Sequence, residues 1–349
     1  MGAALQFTVA FQERKRTGGP GAAFHMGEKR VLSEIINDLI FSINTVLPVF
    51  IVVLVGYVMR KRGTVDEHFV GSISNVVFYY ALPARMFLDV ATSDFMELMN
   101  LRFILVTVVG TIGVFLAAWL VISHCFHDGR IIAAAVHSAY RGNYIYIGLP
   151  IIQNILQTDY VACSVLILTF VLPVYNILGV LILSWYSGDM SKLKPGKLLL
   201  DILKNPMILA VIFGVLYGLT GLPMPYAAEK SLTYLGAIAT PMALLMIGAR
   251  MVGNSIKGEE KVIRLTMLFK LVLGPLIMTL VAIYLGMPRE EIVSVFVLFA
   301  VPTAMNVFIM TKSMGGDDGL AANAILTSVP GSVVAMTVGI YLMRIAGIV

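Results

Sequence analysis

Apolar stretches of about 20 residues recur along this chain, divided by short polar loops, and no other feature narrows its folding as much. A run of that length crosses the hydrocarbon core of a bilayer as a helix. In lipid the backbone must satisfy its own hydrogen bonds, so helices are the form such runs take. Ten spans are read at 39–59, 68–91, 103–123, 131–153, 160–186, 201–220, 231–250, 263–286, 291–311 and 318–346. The chain is 58% hydrophobic and 13% charged, against roughly 25% charged in soluble domains. The sequence thus predicts an all-α polytopic membrane protein.

The basic residues predict an orientation. Thirteen of the loop and helix-end Lys and Arg, among them Arg60, Arg130, Lys192, Arg250 and Lys312, fall on one side, and four (Arg102, Lys230, Arg289 and Arg344) on the other. The richer side should be cytoplasmic, which places both termini outside the membrane. Trp119 and Trp185 fall near cytoplasmic helix ends, where an amphipathic indole prefers the interface. Arg14, Lys15, Arg16, Lys29 and Arg30 oppose this orientation. They lie in a 1–36 tail expected to be disordered, and a natural start at Met26 would remove part of it. The net charge of +5 reads as basic loops facing anionic lipid rather than nucleic acid. Cys125 and Cys163 match no metal spacing.

Folded at the 187–200 linker, the chain echoes itself. Pro48 and Pro206, Gly56 and Gly214, Ala81 and Ala239, and Pro83 and Pro241 are each 158 residues apart. Pro150 and Pro302 are 152 apart, as are Asn154 and Asn306. Residues 37–186 and 201–349 then form two repeats of five spans. An odd number per repeat forces opposite orientations, giving a 5+5 inverted repeat. The fourth and ninth spans break at matching places, near Pro150 and Pro302. Proline lacks an N–H and disrupts the helix before it, and unwound backbone at membrane depth is tolerated only where protein or a cavity surrounds it. The restarting half-helices would aim their positive N-terminal ends at the crossing of spans 4 and 9.

Four charged residues lie within the spans: Arg85, Asp89, Arg141 and Lys270. Each is costly in lipid and so a candidate for function. Arg85 and Asp89, four residues apart on one helix, suit a mutual pair. Lys270 can snorkel toward the cytoplasmic end of its span. Arg141 has no acidic partner in its own span, and its planar fork suits a carboxylate. His137, one turn earlier, is a candidate for coupling. Asn143, Asn154 and Asn306 offer neutral donors and acceptors, or helix–helix bonds with no ligand. Asp317 and Asp318 suit the cap of the last span.

Asn143–Pro150, ending Gly148-Leu149-Pro150, resembles the fourth span of the auxin efflux carrier family. Ala81-Leu82-Pro83, Pro241-Met242-Ala243-Leu244 and Val301-Pro302 resemble its second, seventh and ninth spans. The resemblance covers roughly residues 37–349. It is closer to bacterial members, because the plant exporters carry a long central loop and Arg141-Gly142-Asn143 departs from their pattern. It implies a scaffold domain and a transport domain whose broken helices cross, and it ranks Asn143 first among substrate-binding side chains. Taken with the intramembrane charges and the helix breaks, the expected substrate site is Arg141, Asn143, Gly148, Pro150, Pro302 and Asn306. Arg85, Asp89, His137 and Lys270 would carry charge or coupling roles. The implied substrate is a small organic anion, a dicarboxylate such as malate or malonate, moved in an elevator-like motion with H+ or Na+ as coupling ion, in a homodimer. An auxin-like aromatic carboxylate and a sensor without net transport are the alternatives.

No H-E-x-x-H zinc motif, phosphate loop or paired intramembrane aspartates occur. Neither an enzyme nor a cofactor nor a bound metal is expected.

Overall fold

The computed structural model describes residues 20–92, 100–156, 158–187, 196, 200, 204–252 and 260–349. The 187–200 linker lies largely outside the described residues. Those described form fifteen α-helices: α1 (Pro20–Lys61), α2 (Glu67–Val76), α3 (Leu82–Ala91), α4 (Leu101–Cys125), α5 (Gly129–Tyr140), α6 (Leu149–Ile155), α7 (Thr158–Ser187), α8 (Pro206–Leu219), α9 (Tyr226–Ala237), α10 (Ala239–Arg250), α11 (Glu260–Leu268), α12 (Gly274–Tyr284), α13 (Arg289–Ala300), α14 (Met305–Ser313) and α15 (Asp318–Ile345). Asp66, Asn100, Asp128, Asn205 and Asp317 cap α2, α4, α5, α8 and α15 through their side-chain oxygens, satisfying N–H groups that the first turn leaves open.

Among the described residues, six helices or joined helix pairs are long and apolar enough to span a membrane: Ile36–Lys61, Leu101–Cys125, Ser164–Tyr186, Tyr226–Arg250, Glu260–Tyr284 and Asp318–Ile345. The other predicted spans take different forms. Residues 131–153 and 291–311 are each divided in two, and α8 is an apolar helix of 14 residues. Glu67–Ala91 is continuous but carries Asn75, Arg85 and Asp89. At the N-terminal end, α1 begins at Pro20, so residues 20–36, which the sequence assigns to a disordered tail, continue the first span as helix. Proline at the first helical position and the helix formers Ala, Glu, Lys, Arg and Leu after it let the turn propagate.

Prolines shape three helices in one way. Leu82 N–H donates to Val77 O, Leu149 to Tyr144 O and Gly274 to Phe269 O, each spanning five residues instead of four. These wide π turns stand immediately before Pro83, Pro150 and Pro275. The proline ring would clash with the carbonyl four residues back, and one extra residue in the turn moves that carbonyl aside.

Glycines set the closest approaches. Gly56 of α1 lies directly against the Leu245 backbone of α10, and Gly248 of α10 against Val53 of α1. On α8, a Cβ at Gly214 would stand 3.0 Å from Phe87 O of α3. Gly214 is 158 residues from Gly56 and Leu245 is 158 from Phe87, so the two contacts are one pair with its partners exchanged. Around these seams α4, α5 and α7 pack on one another, and α15 runs against α1, α5 and α11.

Candidate functional site

The two divided spans meet at their breaks. Helix α5 ends at Tyr140 and α13 at Ala300; both chains then extend for about three residues before turning again into helix. Gly142 and Thr303 pair as an antiparallel bridge. Asn143 N–H donates to Pro302 O at 2.8 Å, and Ala304 N–H to Arg141 O at 3.2 Å. Two further orphans are satisfied by side chains: Thr303 N–H donates to Ser328 Oγ at 3.0 Å, and Thr303 Oγ1 to Ser138 O at 2.9 Å. Unwound backbone this deep therefore survives because each break supplies what the other lacks.

The break in the fourth span falls at Arg141–Asn143, not near Pro150. Pro150 is buried in the first turn of α6, and the disruption it causes is absorbed by the π turn Tyr144–Gly148. Pro302 does stand in its break. The 152-residue match of Pro150 with Pro302 is thus not a match of positions in space. Asn154, paired in sequence with Asn306, donates instead to Thr45 O of α1 at 2.9 Å, away from the crossing. Gly148 allows close packing, since a Cβ there would meet Tyr144 and Val301.

A cavity of about 90 Å3 opens beside the crossing. Arg141, Asn143, Ala304, Met305 and Asn306 line it from the breaks, Tyr175 and Asn176 from α7, and Asn205 and Met207 from α8. Arg141 is 3% exposed. One of its nitrogens donates to Asn176 Oδ1 at 2.9 Å; another lies 3.0 Å from Met310 Sδ and 3.5 Å from His137 Nε2. The Tyr175 ring stands 6.0 Å away. Every one of these partners is neutral or imidazole, and among the described residues no carboxylate forms an ion pair with Arg141. Because Asn176 spends its oxygen on the guanidinium, its amide N–H groups remain to donate. Helix α14 begins at Met305 with no side-chain cap, so its positive end faces the same space.

The remaining charged candidates, Arg85, Asp89, His137 and Lys270, are not among the residues that line the cavity. Arg85 Nε holds both Asp89 oxygens at 2.8 and 2.9 Å. His137 is fully buried, packed on Gly179 and stacked on Tyr140. Lys270 reaches the crossing from behind α13, donating to Phe299 O at 3.3 Å. Tyr175, Asn176 and Asn205 escaped the sequence reading. For Asn176 the signal was present, as an amide in the middle of an apolar span. Asn205 precedes Pro206 and reads only as a helix cap.

A family model described as "Membrane transport protein" matches residues 41–340. The chain belongs to that family. It is the family of the auxin efflux carriers, as the motifs around Pro83, Pro150, Pro241 and Pro302 imply. The chain is similar to a protein of Rhizobium meliloti (strain 1021) described as a candidate malonate transporter, 30% identical over 308 residues, covering 86% of this chain and 95% of that protein. The uncharacterized transporter YfdV of Escherichia coli (strain K12) is 23% identical over 316 residues, covering 88% and 99%. The uncharacterized transporter MJ1031 of Methanocaldococcus jannaschii is 23% identical over 223 residues, covering 61% and 70%. Family membership makes this chain an integral membrane transport protein.

Proposed function

We propose that the protein is a secondary carrier of small organic anions, dicarboxylates of the malonate and malate class, working by alternating access. The observation that carries this reading is Arg141, a buried guanidinium lining the crossing cavity, whose partners among the described residues are neutral side chains and an imidazole. A cation is expensive to bury, and one left without a counter-ion at a small cavity has its forked donors ready for a carboxylate. Asn176, Asn143, Asn306 and the open end of α14 add donors around it. The likeness to a protein described as a candidate malonate transporter points the same way.

The architecture we propose with it is the 5+5 inverted repeat, crossing at the Gly142–Thr303 bridge. The exchanged pairs Gly56–Leu245 and Gly214–Phe87 support it, as does the antiparallel bridge. In this reading α1, α3, α8 and α10 form the scaffold. The crossing helices move the anion past Phe78, Asn205 and Met207, and both termini lie outside.

Uptake of labelled malonate by the purified protein in liposomes tests the function, with malate, lactate and glucose as competitors. Saturable uptake inhibited by malate and not by glucose is the expected result. Folded protein that takes up none of these anions under any ion gradient would refute the substrate class.

A further inference from the structure

The crossing leaves three carbonyls of α13 without helical partners. The N–H groups that would close its last turn onto Leu298, Phe299 and Ala300 belong to Pro302, Thr303 and Ala304. Pro302 has none. The Thr303 N–H goes to Ser328 Oγ at 3.0 Å and that of Ala304 to Arg141 O at 3.2 Å. Such carbonyls carry the negative end of the helix dipole. Unwound carbonyls at membrane depth are also where a bare cation finds oxygen ligands.

Lys270 enters this place. It leaves the π turn Phe269–Leu273, is 1% exposed, and its Nζ donates to Phe299 O at 3.3 Å. The point that a Cβ on Gly142 would occupy is 2.9 Å from Lys270 Nζ and 3.1 Å from Leu298 O. The absent side chain of Gly142 is thus the room the ammonium uses. The helices packed against this turn carry Glu260, Glu290, Glu291 and Asp318, all in their first turns, and among the described residues none of them forms an ion pair with Lys270.

We propose that the Lys270 ammonium is a tethered resident cation of the crossing, held by the freed carbonyls of α13 where a coupling Na+ would otherwise bind, so that the carrier works without sodium. The transport half of this statement rests on the anion-carrier reading; the occupancy of the cation place does not.

The test is the melting temperature of the purified full-length protein in sodium chloride and in choline chloride of equal ionic strength. Wild type should melt at the same temperature in both. Lys270→Ala should melt lower in choline and recover by at least about 2 °C in sodium or ethylammonium chloride. Lys270→Met, which keeps the volume and fills the space, should be insensitive to either cation. Specific stabilisation of wild type by sodium would overturn the proposal. So would a Lys270→Ala protein indifferent to both cations, and should that variant not fold, the wild-type comparison decides alone. These readouts need no substrate, so failure of malonate uptake leaves them standing. Conversely, a malonate carrier stabilised by sodium refutes only the cation assignment.

Discussion

Arg141 gives one nitrogen of its guanidinium to Asn176 Oδ1 at 2.9 Å, so an arginine from the break of one span is steered by an amide from the next. This contact fixes the fork without neutralising it, which is what a reversible anion site requires. A permanent carboxylate partner would compete with every substrate molecule.

Replacing Arg141 by Gln should therefore separate transport from stability. The loss of charge-assisted hydrogen bonds to a carboxylate, worth about 2 kcal/mol, weakens apparent affinity for malonate by roughly 30-fold. Thermal stability should hold or rise, because a buried unpaired charge is removed. A variant with lower melting temperature and unchanged uptake would assign Arg141 to structure.

Asn176→Asp makes the converse test. The new carboxylate would stand beside the guanidinium and satisfy it internally, so uptake should fall at least tenfold while the melting temperature rises. Asn176→Ala should keep part of the transport, since the charge of Arg141 survives. Full activity of the Asp variant would place the substrate away from this pair.

Gly248 has no space for a methyl group, because the Val53 carbonyl of α1 lies against it. Backbone cannot yield as a side-chain tip can, so Gly248→Ala should destabilise by about 3 kcal/mol or more. Gly113 meets nothing within 4 Å, and Gly113→Ala should be neutral or stabilising by about 0.5 kcal/mol. Thermal unfolding of the two variants in detergent checks both.

The orientation is checked at Cys125, exposed at the end of α4. With Cys163 replaced by Ser, an impermeant maleimide should label inside-out vesicles and spare intact cells. Labelling of intact cells would reverse the topology.

The membrane class was legible because it rests on a pattern with one physical reading. Long apolar runs need a bilayer. The position of the fourth break was not legible. Pro150 advertises a disruption, yet the chain relieves it with a π turn, while the true opening at Arg141–Asn143 contains no proline at all. It exists because Pro302 and Ala304 of a distant span supply partners for Asn143 and Arg141, and pairing across 160 residues leaves no local trace. Lys270 shows the same limit. Position within its span suggested snorkelling to the cytoplasmic surface, whereas the π turn ahead of Pro275 aims it at the carbonyls of α13.

The three π turns also bear on how such a chain can change length. A membrane helix ordinarily tolerates no insertion or deletion, since one residue rotates everything beyond it by about 100°. Each wide turn already holds one residue more than an α-helix needs. Deleting that one residue, with the proline replaced by an ordinary residue, would restore regular helix and leave the flanking faces in register. Segments 77–81, 144–148 and 269–273 are therefore the points inside the bilayer where an alignment of related carriers can gain or lose a residue while the crossing stays intact.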